Sequence, residues 1–189
     1  YIKQKCPDVA IILDAKRADI ESTNRAYAKS AFDTLGVDAV TVNPYPGKAA
    51  LQPFLDYQDK GIIVWLASSN PGDDKFQDLI VGESKEPLYQ FIAKTIAESW
   101  NTNGNLAVVV GATYPEELAA VRKIVGDMPI LVPGIGAQGG DLAATIKNGL
   151  DSKKQGLIIS SSRGIIFSDN PRGATLKLHQ DIVSSLRGA

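Results

Sequence analysis

Cysteine is almost absent. Cys6 is the single one among 189 residues, so no internal disulfide can form within them. It stands just before a proline and reads as an inert thiol. Such sparing use of cysteine fits a reducing compartment, and the expected location is cytoplasmic. No signal-peptide pattern opens the sequence, and no apolar run approaches the roughly 20 residues of a membrane span. An excess of either charge is also missing: 20 Lys and Arg stand against 21 Asp and Glu, a formal net charge of -1. The basic residues are spread out rather than bunched. Neither nucleic acid nor an acidic membrane surface is therefore an expected partner. Histidine occurs once, as His179 inside an amphipathic stretch, where packing or solvent exposure is expected rather than catalysis.

What is present is an ordinary globular composition, 44% hydrophobic and 22% charged, long enough to bury a substantial core as one domain. Apolar strand-like runs alternate with helical periodicity. Strands are expected at 9–13, 39–42, 61–67, 106–110, 130–132 and 156–160. Helices are expected at 20–35, 48–57, 87–100, 115–125, 141–148 and 174–186, with a short helical turn at 163–167. Ile20, Ala28, Ala31, Phe32 and Leu35 mark the inner face of the first helix. Leu178, Ile182, Val183 and Leu186 mark that of the last. Residues 73–86 show no clean period and many charges, and read as a long excursion between elements. Repeated strand–helix order means a parallel sheet covered by helices. Six units fit an open doubly wound sheet, whereas a closed (β/α)8 barrel needs eight and about 250 residues.

Two motifs bear on that choice. The first is Ile11-Ile12-Leu13-Asp14-Ala15-Lys16-Arg17-Ala18-Asp19, in which an apolar strand runs into alternating charges. Strand side chains alternate faces, so Asp14 and Lys16 point the same way. Asp19 follows where a helix begins. Two carboxylates and an ammonium thus gather at the carboxyl end of a strand, where α/β barrels carry catalytic groups. A solvated loop with a helix cap would use the same residue types.

The second motif is Pro133-Gly134-Ile135-Gly136-Ala137-Gln138-Gly139-Gly140-Asp141, followed one strand later by Ser160-Ser161-Ser162-Arg163-Gly164. Glycines at 134, 136, 139 and 140 let backbone N–H groups close on an anion. Gln138 can donate a side-chain amide, and Arg163 offers a planar fork to phosphate oxygens. A flexible glycine loop and a surface arginine are the plainer reading. Barrels of eight strands commonly hold phosphate on the loops after strands seven and eight. If these are those loops, counting back makes residues 11–13 strand three. The chain, which begins at Tyr1, is then expected to be a single barrel domain over 1–189 lacking the first two βα units.

Taken together these residues resemble the orotidine 5'-monophosphate decarboxylase family. Asp14, Lys16 and Asp19, with Ile20 and Thr23 behind them, are similar to its Asp-x-Lys-x-x-Asp signature. Pro133 to Asp141, with Gly136, Gly139 and Gly140, resembles its phosphate loop, and Arg163 its phosphate arginine. Ser69, ahead of Pro71-Gly72, resembles the serine that contacts the pyrimidine. The helical insert after strand Gly61–Ala67 is similar to the larger subgroup of some bacteria and of apicomplexans. The family's ribose-binding aspartate after strand one and its first active-site lysine after strand two have no counterpart in this sequence. The same suprafamily contains magnesium-dependent sugar-phosphate decarboxylases and aldolases with the Asp-x-Lys-x-x-Asp pattern. The joint match of loop, serine and arginine favours the nucleotide enzyme over these. A non-catalytic nucleotide-phosphate-binding fragment is a second alternative, because the missing strands carry half the charged site, and an unrelated α/β protein is a third.

The resemblance implies a (β/α)8 TIM barrel of which strands three to eight are present. It also implies metal-free loss of CO2 from C6 of orotidine monophosphate in de novo pyrimidine synthesis, with no cofactor. Lys16 would stabilise the C6 carbanion and supply its proton, and the flanking carboxylates would keep it charged. Asp14 would orient Lys16 and crowd the substrate carboxylate. Thr23, Ser69, Gln138 and Arg163 would bind the nucleotide. Asp19 and Thr23 would reach a neighbouring subunit's site, so a homodimer is expected.

Overall fold

Short apolar runs flanked by turn residues form the strands here, and longer periodic segments form the helices between them. The computed structural model describes residues 1–70, 76–136 and 139–188. Its strands are β1 (Ile12–Arg17), β2 (Ala39–Val42), β3 (Gly61–Ala67), β4 (Ile80–Val81), β5 (Glu86–Pro87), β6 (Leu106–Val110), β7 (Ile130–Pro133) and β8 (Leu157–Ser160). Its helices are α1 (Ile2–Lys5), α2 (Glu21–Lys29), α3 (Gly47–Leu55), α4 (Leu88–Thr95), α5 (Pro115–Val125), α6 (Leu142–Gly149), α7 (Arg163–Ile166) and α8 (Pro171–Arg187). Apart from β4 and β5, the order is strand then helix throughout, as in strands three to eight of a (β/α)8 barrel. The chain divides into two compact units, Tyr1–Trp65 with Glu98–Ala107, and Leu66–Ala97 with Val108–Ala189.

In the first unit β2 lies between its neighbours. β1 pairs with it in parallel from Ile12 opposite Ala39, and β3 from Gly61 opposite Ala39 to Val64 opposite Val42. Val40, Val42, Ile62 and Val64 are fully buried, the continuous apolar pattern of a parallel sheet covered on both faces. α2 packs on α3, whose Leu51 and Phe54 are fully buried. Phe32 meets Tyr57 with ring centroids 4.7 Å apart.

In the second unit β6 pairs in parallel with β7 (Val108 opposite Ile130), and β7 with β8 from Ile130 opposite Leu157 to Pro133 opposite Ser160. α4 packs on α5, α5 on α6, and α6 on α8. A buried arginine ties this unit together away from any ligand chemistry. Arg122 of α5 donates from Nε to Gly149 O at 2.8 Å, from Nη1 to the carbonyls of Gly126 and Met128, and from Nη2 to Gly156 O at 3.0 Å. One planar fork thus satisfies carbonyls at the ends of α5 and α6 and at the starts of β7 and β8. Burial lowers its affinity for a proton, an effect opposed by the charges of Asp151 and Asp127.

Several boundaries differ from the sequence expectation. β1 starts at Ile12 rather than Val9, because the Ile11 N–H is taken by the Asp38 carboxylate at 2.7 Å before the ladder begins. It also runs on to Arg17, so the charged stretch lies within the strand. The first helix ends its α-helical part at Lys29 and continues as a wide π-type turn, Ser30–Thr34. That turn carries Leu35 off the inner face, and Ile20 lies outside the helix. Both are exposed, while Ala28, Ala31 and Phe32 are buried. The third helix ends at Leu55 rather than Tyr57. α4 starts one residue after Pro87, whose backbone pairs with Ile80 in an antiparallel hairpin of two-residue strands, Ile80–Val81 within the expected excursion 73–86 and Glu86–Pro87 at its end. A second π-type turn, Ile96–Trp100, completes that helical segment. α8 begins at Pro171, because Asn170 Oδ1 accepts the Gly173 N–H at 2.9 Å and proline suits the first helical position. Leu178, Ile182 and Val183 are half-buried there. Leu186, in the last turn, is exposed, since α8 packs on α6 and α7 and that turn stays open to solvent.

Candidate active site

The charged end of β1 is a bulge. Leu13 stands opposite Val40 and Arg17 opposite Val42, so Asp14, Ala15 and Lys16 face the single residue Thr41. The surplus is absorbed by Lys16, whose φ of 46° lies in the left-handed region. Its ammonium meets Asp14 Oδ1 at 2.6 Å. Thr41, fully buried, accepts the Lys16 N–H on Oγ1 at 2.9 Å and donates its hydroxyl to Asp14 Oδ1, also at 2.9 Å. Alternation of faces predicts the Asp14–Lys16 encounter but not its cause: the pair meets across a bulge, not along a regular strand.

Asp19 does not join that pair. It is exposed, and its Oδ1 accepts the Ile20 N–H at 2.7 Å. The backbone at this point is pinned by Asn24, a fully buried residue of α2 whose Nδ2 donates to Asp19 O and Ala50 O, each at 2.8 Å. Thr23 sits half-buried at the start of α2. Arg17 lies over the Tyr27 ring, 4.8 Å from its centroid.

In the second unit the glycine motif follows β7. Gly134, Gly136 and Gly139 have φ of 101°, 89° and 81°, which non-glycine residues rarely adopt. The Gly139 N–H returns to Gly136 O at 2.9 Å, and Gly140 N–H to Gly134 O at 3.1 Å. Gln138 lies outside the described residues. Arg163, exposed, opens the four-residue α7 directly after β8 and Ser161–Ser162. Ser69 is half-buried, and its carbonyl accepts the Thr113 hydroxyl at 3.1 Å. A Cβ on Gly111 would come within 2.6 Å of the Ser69 backbone, so glycine at the end of β6 is what lets the Ser69 segment lie there. Thr41, Asn24, Gly111 and Thr113 were not flagged by sequence reasoning. A hydroxyl in the middle of the apolar run Ala39–Val42 is the one signal that could have found the first.

Among the described residues no cluster of three or more His, Cys, Asp or Glu is placed to hold a metal ion, and no helix is long and apolar enough to cross a membrane. His179 is exposed on α8, as expected.

An ion pair at the carboxyl end of one parallel strand and a glycine-rich turn at the carboxyl end of another define a class: (β/α)-barrel proteins, which carry their chemistry on strand ends. Comparison with known proteins narrows the class to one family. The chain belongs to the orotidine 5'-phosphate decarboxylase / HUMPS family, whose profile matches residues 1–178. It is 51% identical over 168 residues to the orotidine 5'-phosphate decarboxylase of Janthinobacterium sp. (strain Marseille), an alignment covering 89% of this chain and 61% of that protein. Among solved structures it resembles Leishmania donovani UMP synthase, with 43% identity and a TM-score of 0.90 over 94% of this chain and 40% of that one. It also resembles Leishmania donovani OMP decarboxylase, with 40% identity and a TM-score of 0.88 over 96% of this chain and 70% of that one. The chain thus spans about three fifths of the length of the curated relatives it matches.

Proposed function

We propose that this chain carries the decarboxylating side of an orotidine 5'-monophosphate decarboxylase. The reading is supported first by the Lys16–Asp14 ion pair of 2.6 Å on the β1 bulge, and then by family membership over residues 1–178. The C6–carboxylate bond of orotidine monophosphate breaks heterolytically. CO2 departs, and the electron pair stays on C6 in the ring plane, where the ring delocalises it poorly. The Lys16 ammonium stabilises that charge electrostatically, then transfers one proton from Nζ to C6 to give uridine monophosphate. Water reprotonates the amine. Asp14 orients the ammonium, and its negative charge disfavours the substrate carboxylate more than the departing CO2.

Arg163, Gln138 and the turn with Gly136, Gly139 and Gly140 hold the phosphate, and Ser69 reads the pyrimidine. Binding energy from the non-reacting phosphate is then available to order the loops around the base. Asp19 and Thr23 serve the site of a second subunit in a homodimer. The reaction needs no metal and no cofactor, and belongs to cytoplasmic pyrimidine synthesis.

The test is the ultraviolet change that accompanies conversion of orotidine monophosphate, followed with and without EDTA. Turnover unaffected by EDTA is expected. No turnover would reject the enzyme, and loss restored by magnesium would point to the sugar-phosphate relatives.

A further inference from the structure

We infer that Thr41 is a positioning residue for the reacting ammonium, a role that rests on the function proposed above. The sheet register isolates it. Three residues of β1, Asp14 to Lys16, oppose Thr41 alone, so the ladder cannot satisfy the bulged backbone in the usual way. The Thr41 side chain takes over: its Oγ1 accepts the Lys16 N–H, the bond a carbonyl would receive in a regular strand. A hydroxyl has one proton to give. With an N–H already pointing at its oxygen, Thr41 directs that proton to Asp14 Oδ1 at 2.9 Å, in preference to Leu13 O at 3.5 Å.

Asp14 Oδ1 therefore receives two donors, the Thr41 hydroxyl and the Lys16 ammonium at 2.6 Å. Among the described residues Asp14 Oδ2 receives none. One buried side chain thus fixes the left-handed backbone of Lys16 and the rotation of the carboxylate that aims its ammonium. Thr41 touches neither substrate nor reacting atoms in this scheme, and acts through Asp14 and Lys16. Valine has nearly the same shape and would fill the buried site, but can neither accept nor donate.

The experiment compares the unsubstituted protein with Thr41→Val, Thr41→Ser, Asp14→Asn and the double variant Thr41→Val/Asp14→Asn in orotidine monophosphate turnover. Thermal unfolding of each is recorded in parallel. Losing a hydrogen bond to a charged group predicts a fall in kcat of about 10- to 100-fold for Thr41→Val, with KM changed by less than about threefold. Thr41→Ser keeps the hydroxyl and is expected to retain kcat within about threefold. In the Asp14→Asn background, Thr41→Val should cost much less than it does alone, because the two residues act in series.

A merely structural Thr41 would lower the unfolding temperature while leaving kcat of the folded protein unchanged, and that result overturns the inference. So does a folded Thr41→Ser variant that loses kcat tenfold, which decides the matter even if Thr41→Val does not fold. Absence of turnover in the unsubstituted protein would overturn the decarboxylase reading and this inference together. Turnover there with kcat unchanged in Thr41→Val would overturn this inference alone.

Discussion

Arg163 stands exposed at the head of α7, and phosphate binding is the role proposed for it. Its replacement by alanine is expected to raise KM for orotidine monophosphate about 10- to 100-fold, the worth of a charge-assisted bidentate contact, and to leave the fold intact. Steady-state kinetics checks this, and an unchanged kcat/KM would remove Arg163 from the phosphate site. At this scale the sequence was legible where chemistry shows in residue type. Asp14, Lys16 and the glycines stand out because charges and glycine clusters at strand ends are conspicuous. Thr41 did not stand out, because a β-branched residue in a buried strand reads as packing. Only the register, with three residues opposite one, reveals that its hydroxyl is used. Asn24 is similar: an amide in an amphipathic helix passes for a surface residue until its two backbone bonds to Asp19 and Ala50 are seen.

Elements depend on a few side chains that satisfy backbone groups. Arg122 donates to four carbonyls contributed by the ends of α5 and α6 and the starts of β7 and β8. Arg122→Ala strands those acceptors and leaves a cavity, so the expected loss is about 3–5 kcal/mol, read by urea unfolding. A loss under about 1 kcal/mol would show that water replaces the guanidinium at little cost. Gly111 carries a different constraint. A methyl group there collides with the Ser69 backbone, and Gly111→Ala is expected to lower kcat/KM about tenfold or more by displacing Ser69, the residue proposed to read the pyrimidine. Six strands and their helices could be read from apolar runs and periodicity, since each run is long enough to show its period. The π-type turns Ser30–Thr34 and Ile96–Trp100 could not be read, because one widened turn leaves the hydrophobic spacing nearly unchanged until Leu35 is carried outward. Nor could the β4–β5 hairpin, whose two-residue strands have no period at all.

For the whole molecule, pH sets limits from both sides. Asp38, held by Lys3 and the Ile11 N–H, has its carboxyl below the usual range. Glu86 is lowered by Lys94 and Ser84, and Asp127 by the Ser152 hydroxyl and N–H. A folded value below the unfolded one means stability that is present above the unfolded value and is lost as pH falls through the folded one. The unfolding temperature is therefore expected to drop below about pH 4. Tyr57 and Tyr89 are pushed up, chiefly by burial. Their contribution is present below about pH 10 and is lost as pH rises through the folded values. A scan of unfolding temperature against pH should show a plateau bounded on both sides, and no acid-side decline would contradict these assignments. Assembly has its own test. If Asp19 serves a second subunit, mixing inactive Lys16→Ala with inactive Asp19→Ala should regain about a quarter of normal activity, from the one intact site of each hybrid. No recovery would mean that each site uses its own Asp19.

The measurement closest to the central claim is turnover of orotidine monophosphate by Lys16→Ala, with binding of uridine monophosphate followed in the same preparation. With Lys16 as the group that stabilises and protonates C6, turnover is expected to fall at least about 10³-fold while the product nucleotide still binds. Normal turnover by the folded variant would contradict it.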